Sequence, residues 1–447
     1  MRDPLRRQIK RGKHSRCFAT WVATVALLAA VGVMPAAAQE QPPDFVLQWG
    51  ASGTGEGEFS FSWGLAVGPA DRVYVVEASG NRVQRFSDQG SFEVLWGWGV
   101  ATGGAQPEVC GSGCLSGLGG DGAGQLLAAR GAAVDSSGRV YVADEQNHRI
   151  NVYESDGAFV EAWGWGVATG AESFEVCRSI CVQGIPGGGD GQFSYPHSVE
   201  VDRSSDTVYV VDSVNQRVQI LTSDGSYLGM IGWGVSGIWL GNPTDVAIDS
   251  KGAVYIVDLP SHTVLKVASD GSLETTWGGY GTEAGQFDEP HGVAIDSHDS
   301  VYVTERWNHR VQKFDENGNW LSMWGNQGTG PGQFMTCTEI AVDSRDQIYV
   351  TDHTDRVQKF SPAAETRTDD LRDEVLELEV PAGIKSSLMA NVDHVSEILD
   401  TPEIPDHVAV QQLEAFIRKV AAQSGRHIST VDAEQLITWA QGIADSL

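Results

Sequence analysis

The sequence predicts an all-β protein, a six-bladed β-propeller followed by a small all-α bundle, on three observations. One segment type recurs six times: VYVVEASGNRVQRF from Val73, VYVADEQNHRINVY from Val140, VYVVDSVNQRVQIL from Val208, VYIVDLPSHTVLKV from Val254, VYVTERWNHRVQKF from Val301 and IYVTDHTDRVQKF from Ile348. Their starts lie 67, 68, 46, 47 and 47 residues apart, which is propeller spacing with two enlarged units. The 53 glycines point to many turns rather than long helices, because glycine loses the most backbone freedom on ordering.

Each unit reads as four short strands. In the third these are SVEVD, VYVVD, RVQIL and YLGMIG, with β-branched alternation broken by Asp, Asn and Gly turns. Five units end in an outer strand with a Trp-Gly, at Trp96, Trp163, Trp233, Trp277 and Trp324, and these tryptophans are expected to pack between blades. The sixth unit stops at Phe360 without such a strand. The missing piece stands near the N-terminus as Phe45-Val46-Leu47-Gln48-Trp49-Gly50, so the N-terminal strand is expected to complete the last blade and close the ring.

The recurring pattern Asp-x-x-Gly-x-Val-Tyr-Val-x-Asp-x-x-Asn-x-Arg-Val-Gln-x-Phe resembles that of NHL repeats, over roughly residues 45–360. The resemblance implies the propeller and no defined activity, since propellers host unrelated functions. No RING-type zinc framework accompanies it of the kind found beside NHL domains in ubiquitin ligases.

Residues 1–38 read as a secretory signal: seven basic residues from Arg2 to Arg16, an apolar run from Cys17 to Met34, then Pro35 and Ala36-Ala37-Ala38. An uncleaved membrane anchor is the alternative, since the run approaches spanning length. Cleavage removes seven basic residues and one acid, leaving 23 basic against 58 acidic and a net charge near −35. Such a surface repels phosphate backbones and anionic lipids, so nucleic acid is excluded as a partner and no stable membrane insertion is expected after cleavage. The expectation is a secreted, periplasmic or extracellular, monomer.

The propeller is assigned residues 39–360 and a polar linker residues 361–370. A helical module at 371–447 is expected to hold three or four short helices. Leu413, Phe416, Ile417 and Val420, and again Leu436, Ile437, Ala440 and Ile443, recur at helical spacing; Ser429-Thr430-Val431-Asp432 reads as a helix start. The stretch IKSSLMANVD, LEAFIRKVAAQSGRHIS and AEQLI resembles the FIMAH type of module found at the C-termini of secreted bacterial proteins. That resemblance implies a bacterial extracellular protein.

Positions shared by all units serve the fold first. The acid ending each second strand (Glu77, Asp144, Asp212, Asp258, Glu305, Asp352) and the arginine after the next loop (Arg82, Arg149, Arg217, Arg310, Arg356) are expected to form a repeated ion pair. Departures from the pattern are better functional candidates. One residue per unit is expected at the channel mouth: Trp63, Arg130, His197, Thr244, His291 and Thr338, with Asp245 and Glu339 replacing the small residue that usually follows. This set is chemically able to hold an anion, or a metal such as zinc or calcium on His197 and His291. Pro196-His197 and Pro290-His291 are similar to the Pro-His positions of peptide-amidating lyases, in which three channel histidines bind a catalytic metal; only two positions match here.

The two enlarged units carry copies of one insertion, Trp96–Leu126 and Trp163–Phe193, each with Cys-x3-Cys. Cys110–Cys114 and Cys177–Cys181 are expected as disulfides within each loop; bridges between the loops and a zinc site are the alternatives, and Cys337 is left free. The inserts stand over one side of the mouth, with His148, His262, Trp307 and His309 as further candidates on that face. Two functions follow. One is an extracellular binding or scaffolding protein engaging a protein, peptide or glycan through this face. The other is a metal-dependent lyase or hydrolase of the channel.

Overall fold

The computed structural model describes residues 40–362 and, toward the C-terminus, 371–372, 375–376, 378, 380–399, 406–429, 433, 436–437, 440–441 and 443–444. The signal segment, most of the linker and Thr430–Asp432 of the expected helix start lie outside the described residues.

The strands form six sheets. A first strand, β1 (Asp44–Trp49), precedes them. Blade 1 holds β2 (Ser62–Gly68), β3 (Arg72–Glu77), β4 (Arg82–Phe86), β5 (Phe92–Trp98) and β6 (Pro107–Cys110). Blade 2 holds β7 (Ala132–Val134), β8 (Val140–Asp144), β9 (Arg149–Tyr153), β10 (Phe159–Trp165) and β11 (Phe174–Cys177). Blade 3 holds β12 (Pro196–Asp202), β13 (Thr207–Asp212), β14 (Arg217–Leu221) and β15 (Tyr227–Gly232). Blade 4 holds β16 (Pro243–Ile248), β17 (Val254–Asp258), β18 (Thr263–Val267) and β19 (Leu273–Gly278). Blade 5 holds β20 (Pro290–Ile295), β21 (Val301–Glu305), β22 (Arg310–Phe314) and β23 (Trp320–Trp324). Blade 6 holds β24 (Cys337–Val342), β25 (Ile348–Asp352) and β26 (Arg356–Ser361). Its fourth strand is β1, which pairs antiparallel with β26 from Asp44↔Ser361 to Trp49↔Val357. The chain closes its own ring, as the missing outer strand predicted.

The ion pair of each repeat is buried and does more than neutralise charge. Arg82 Nε meets Glu77 at 2.6 Å, and its other nitrogens donate to the carbonyls of Thr54, Gly55, Glu58 and Leu115. The arginine thereby clamps the preceding blade-to-blade connection, whose backbone acceptors would otherwise be unsatisfied. Arg149, Arg217, Arg310 and Arg356 repeat the arrangement. Blade 4 departs: Thr263 stands where the arginine would be, and Ser261 donates its hydroxyl to Asp258 at 2.8 Å.

The inserts each add a fifth, outermost strand. The disulfides are Cys110–Cys114 and Cys177–Cys181, within each loop, and Cys337 is free and buried. The tryptophan expectation needs one correction. Trp96, Trp163 and Trp324 are buried, but Trp233 is 50% exposed. In register, Trp96 faces Val83 on the neighbouring strand, Trp163 faces Ile150, and the residue facing Val218 in blade 3 is Ile231. Trp233 therefore matches Trp98 and Trp165, the second tryptophan of each WGWG. Those two donate their indole N–H to Ala123 and Asp190 and hold the inserts down. Blade 3 has no such insert, and its tryptophan is left in solvent.

Among the described residues the C-terminal region has two continuous helices, α1 (Ala382–Leu399) and α2 (Asp406–Gln423), and further helical residues at 371–372, 375–376, 433, 436–437, 440–441 and 443–444. Leu388, Val392, Val395 and Ile398 of α1 pack with Ala409, Leu413, Phe416 and Val420 of α2 in one apolar cluster. Leu436, Ala440 and Ile443 also join it. None of the described helices is long and apolar enough to cross a membrane.

Candidate functional site: the cup over the channel

Loops between the second and third strands share a face with the blade-to-blade connections. At the centre of that face is a cup of about 460 Å³, lined by Trp63, Arg130, Glu145, Tyr195, His197, Ser213, Val214, Asn242, Thr244, Leu259, His291 and Arg306. A separate cavity of about 240 Å³ lies along the inner strands, lined by Glu200, Asp202, Asp245, Asp249, Glu339 and Arg203 together with Ser198 and apolar residues.

Backbone geometry sets up this layering. Just before most inner strands one residue takes a left-handed conformation, as at Phe61 (φ 59°), Ala128 (φ 50°), Tyr195 (φ 55°), Glu289 (φ 49°) and Thr336 (φ 63°). A side chain of the neighbouring blade's loop holds it in place. His148 Nδ1 accepts the Tyr195 N–H at 3.2 Å, His262 Nδ1 that of Glu289 at 3.1 Å, and His309 Nδ1 that of Thr336 at 3.1 Å. Asn81 does the same for Ala128. His148, His262 and His309 are thus engaged in joining blades, and of the four face candidates Trp307 stands out at 53% exposed. The recurring side chain at the end of each loop was the available signal, but its backbone partner lies 27 or 47 residues on and is invisible in the linear pattern.

A β-bulge at the start of the inner strands, between Pro196 and Ser198 in β12 and between Pro243 and Asp245 in β16, breaks the alternation of faces. Successive residues then face the axis at successive depths. His197 and Thr244 line the cup, whereas Ser198 and Asp245 line the cavity beneath. Asp245 and Glu339 accordingly sit one layer deeper than the mouth, and Thr338 is buried, its carbonyl accepting from His291. The strands pack closely at blade 1: a Cβ on Gly64 would lie 2.0 Å from the Arg130 carbonyl oxygen.

Trp63, only 5% exposed, fills the floor of the cup. Its ring centroid is 6.0 Å from that of His197 and 5.3 Å from that of His291, and the two imidazoles are 5.2 Å apart. The Arg130 guanidinium lies 4.2 Å and that of Arg306 5.9 Å from the Trp63 centroid. His197 Nδ1 bonds the Thr244 carbonyl at 2.8 Å, and Arg130 meets its Nε2 at 3.4 Å. Burial, followed by the charges of Arg130 and Arg306, pushes His197 down to about 3. Burial, His197 and the same arginines hold His291 well below its ordinary value. Both are neutral rings whose Nδ1 atoms are taken. A guanidinium beside one of them opposes a metal cation, and among the described residues no group of three or more His, Cys, Asp or Glu is placed to hold one. These residues do not fit a zinc or calcium centre.

The cavity below is acidic. Ser198 donates to Asp245 at 2.6 Å and the Val293 N–H at 2.8 Å. Burial pushes Asp245 up to about 6 and Glu200 up to about 8, and with Asp245 beside it holds Glu339 well above the carboxylate range. The folded state keeps protons that the unfolded chain releases, so stability is full at acid pH and is lost as pH rises toward about 8. Glu200→Gln is expected to melt with the parent protein at pH 4. At pH 8 it should be more stable by about 1–2 kcal/mol, a value discounted for water reaching the channel. Thermal melts at the two pH values check this; an equal difference at both would rule it out.

The NHL repeat family model matches residues 126–153, 193–221 and 287–314. Protein brain tumor of Drosophila melanogaster is 26% identical over 151 residues, 34% of this chain and 12% of that protein, so the match spans about an eighth of its length. Solved structures with a similar trace include a streptogramin B lyase (10% identity, 72% of this chain and 98% of that one, TM-score 0.46). A gluconolactonase from Xanthomonas campestris (15%, 74% and 99%, 0.45) and virginiamycin B lyase from Staphylococcus aureus with quinupristin (14%, 69% and 95%, 0.42) are others. With its six sheets the chain is a six-bladed β-propeller, and three stretches of it match the NHL repeat.

Proposed function

We propose that the chain is an exported binding protein that holds a polypeptide partner on the insert-bearing face of its propeller. The observation that carries this is that most of the exposed aromatic side chains gather on this face. Trp239 (71% exposed), Tyr280 (72%), Trp307 and Trp233 stand on this face with Phe61, Tyr195, Val214 and Ile180. The turns of the opposite face, such as Thr222–Ser226, Ala268–Ser272 and Asp315–Asn319, are built from Asp, Ser, Gly, Asn and other small or polar residues. Aromatic side chains around a concave centre are what protein interfaces use as anchors, and a soluble protein rarely leaves so many on one side without a partner.

The N-terminal segment, with its basic start, apolar run and small-residue end, supports export, as do the two disulfides. In this reading a monomeric propeller of residues 39–360 is joined by the linker at 361–370 to a FIMAH-type module at 371–447. A lyase or hydrolase reading draws less support, because Arg130 stands against Nε2 of His197 and, among the described residues, no group of three or more His, Cys, Asp or Glu is placed to hold a metal.

A photo-crosslinking residue at Trp239 or Trp307 is expected to capture one dominant polypeptide, competed by excess unlabelled chain, while the same residue at Asp224 on the opposite face captures none. Equal adducts on both faces, or adducts to glycan alone, would defeat the proposal.

A further inference from the structure

The cup of this acidic protein holds a guanidinium that is only loosely neutralised. The whole chain carries a net charge of −29, yet the lining places two guanidiniums, Arg130 and Arg306, against one carboxylate, Glu145. Arg130 is paired, its Nε 2.6 Å from Glu145. Arg306 is poorly paired: its closest carboxylate contact is Glu289 at 3.5 Å, and its buried Nε finds no acceptor among the described residues. The buried indole nitrogen of Trp63 has none either. A buried donor without an acceptor is costly, of the order of 1–3 kcal/mol and more when charged. Two such donors in one cup, beside a second guanidinium, form an arrangement that an incoming acceptor would satisfy.

The surrounding imidazoles leave that charge to the arginines. His197 and His291 are neutral and hydrogen-bonded, so they neither add to it nor offset it. His353, packed against Trp63 at 5.9 Å, is also held below its ordinary value, by burial and by Arg306. Tyr195, Val214 and Leu259 supply an apolar rim. With Glu289 counted, two guanidiniums stand against two carboxylates, so what the cup offers is one loosely paired guanidinium, which suits a monoanion better than a phosphate dianion. A nucleic acid would bring many phosphates against an acidic protein.

Resting on the binding role of this face, we propose that the cup recognises a carboxylate of the bound polypeptide, held by Arg306 and Arg130 over the ring of Trp63. Planar guanidiniums match carboxylates in a forked geometry. A C-terminal carboxylate and an acidic side chain share this chemistry.

The full chain, labelled with ¹⁵N, can be titrated with three probes: N-acetyl-alanylglycine, its C-terminal amide, and N-acetyl-aspartyl-alaninamide. The arginine Nε–H signals of the cup are assigned with Arg306→Lys and Arg130→Lys. A saturable shift of the Arg306 signal is expected with a carboxylate probe and not with the amide, and the probe that acts identifies the source. Arg306→Gln should weaken that binding at least about tenfold. Glu289→Gln, which removes a competing carboxylate and leaves the arginine in place, should tighten it about two- to fivefold. No shift with either carboxylate, an equal shift with the amide, or no change in both variants would overturn the proposal. Face-specific crosslinking at Trp239 without any probe binding would sink this site alone; probe binding without face-specific adducts would sink the wider binding role instead.

Discussion

Removal of residues 39–50 is expected to cost the propeller most of its stability. The segment supplies the whole outer strand of blade 6, with β1 paired to β26 from Asp44 to Trp49. Its side chains bridge the seam between the last blade and the first. Phe45 lies edge-on to Phe360, while Trp49 packs on Phe86 of blade 1 and Tyr349 of blade 6. Gln48 accepts from Arg356, and Glu40 pairs with Lys313. Loss of one large core aromatic costs about 3–5 kcal/mol, against a total of about 5–15 kcal/mol for a typical domain. Deletion also bares β26 as an edge strand, which invites pairing with other chains. Urea denaturation of the truncated chain should therefore show a sharply lowered midpoint or no cooperative transition, with concentration-dependent aggregation. Trp49→Ala in the full chain should lose about 3 kcal/mol without the aggregation, because the backbone ladder survives. A truncation that unfolded like its parent would disprove the closure.

The ring, its register and its closure were legible because they rest on local signals that repeat. Six copies of one strand pair fix the blades, and the missing sixth Trp-Gly strand after Phe360 points to its counterpart before Gly50. What escaped the sequence depends on relations between blades. Asp245 and Glu339 sit below the mouth because bulges at the start of the inner strands alter which residues face the axis, and a bulge leaves no clear mark in composition. His148, His262 and His309 look like free ligand-face residues in one dimension, yet each is bonded to a backbone N–H of the next blade. Trp233 was placed by its Trp-Gly alone, whereas strand pairing puts Ile231 in the packing position. The cup's loosely paired cation is Arg306, a loop residue with no arginine counterpart in the other units and so no repeat to flag it.

Arg149→Ala should be the most damaging single substitution in the repeat, at about 3–5 kcal/mol. Arg149 and Asp144 are both fully buried, with Nε 3.0 Å from the carboxylate. The remaining nitrogens donate to the carbonyls of Asp121, Val182, Gly122 and Gln125. One side chain thereby ties the tail of the first insert to the second, and its loss leaves those carbonyls and an uncompensated acid. Arg149→Lys should recover little, because a single ammonium cannot reach a carboxylate and four carbonyls at once. The deficit has a defined pH dependence. Asp144 already has a raised pKa through burial, with Arg149 opposing the rise. Without the arginine the folded-state pKa climbs further above the unfolded value, so the lost stability grows as pH increases from about 4 and shrinks below it. Urea midpoints for variant and parent should approach each other at pH 4 and separate at pH 7. Arg178→Ala, which removes an exposed partner of Glu161, should change stability by less than about 1 kcal/mol at either pH. Blade 4 shows that the fold has another solution, with Ser261 and the backbone N–H groups of Gly241 and Asn242 satisfying Asp258 without any arginine. That solution works where the connection is short. Blades 1 and 2 carry long glycine-rich inserts, and there the guanidinium joins the stapled loops to the frame. The same substitution should accordingly make Gly119–Gln125 and Val182–Ile185 susceptible to limited proteolysis before the ring itself unfolds, and simultaneous loss of both would show that the arginine supports only the blade.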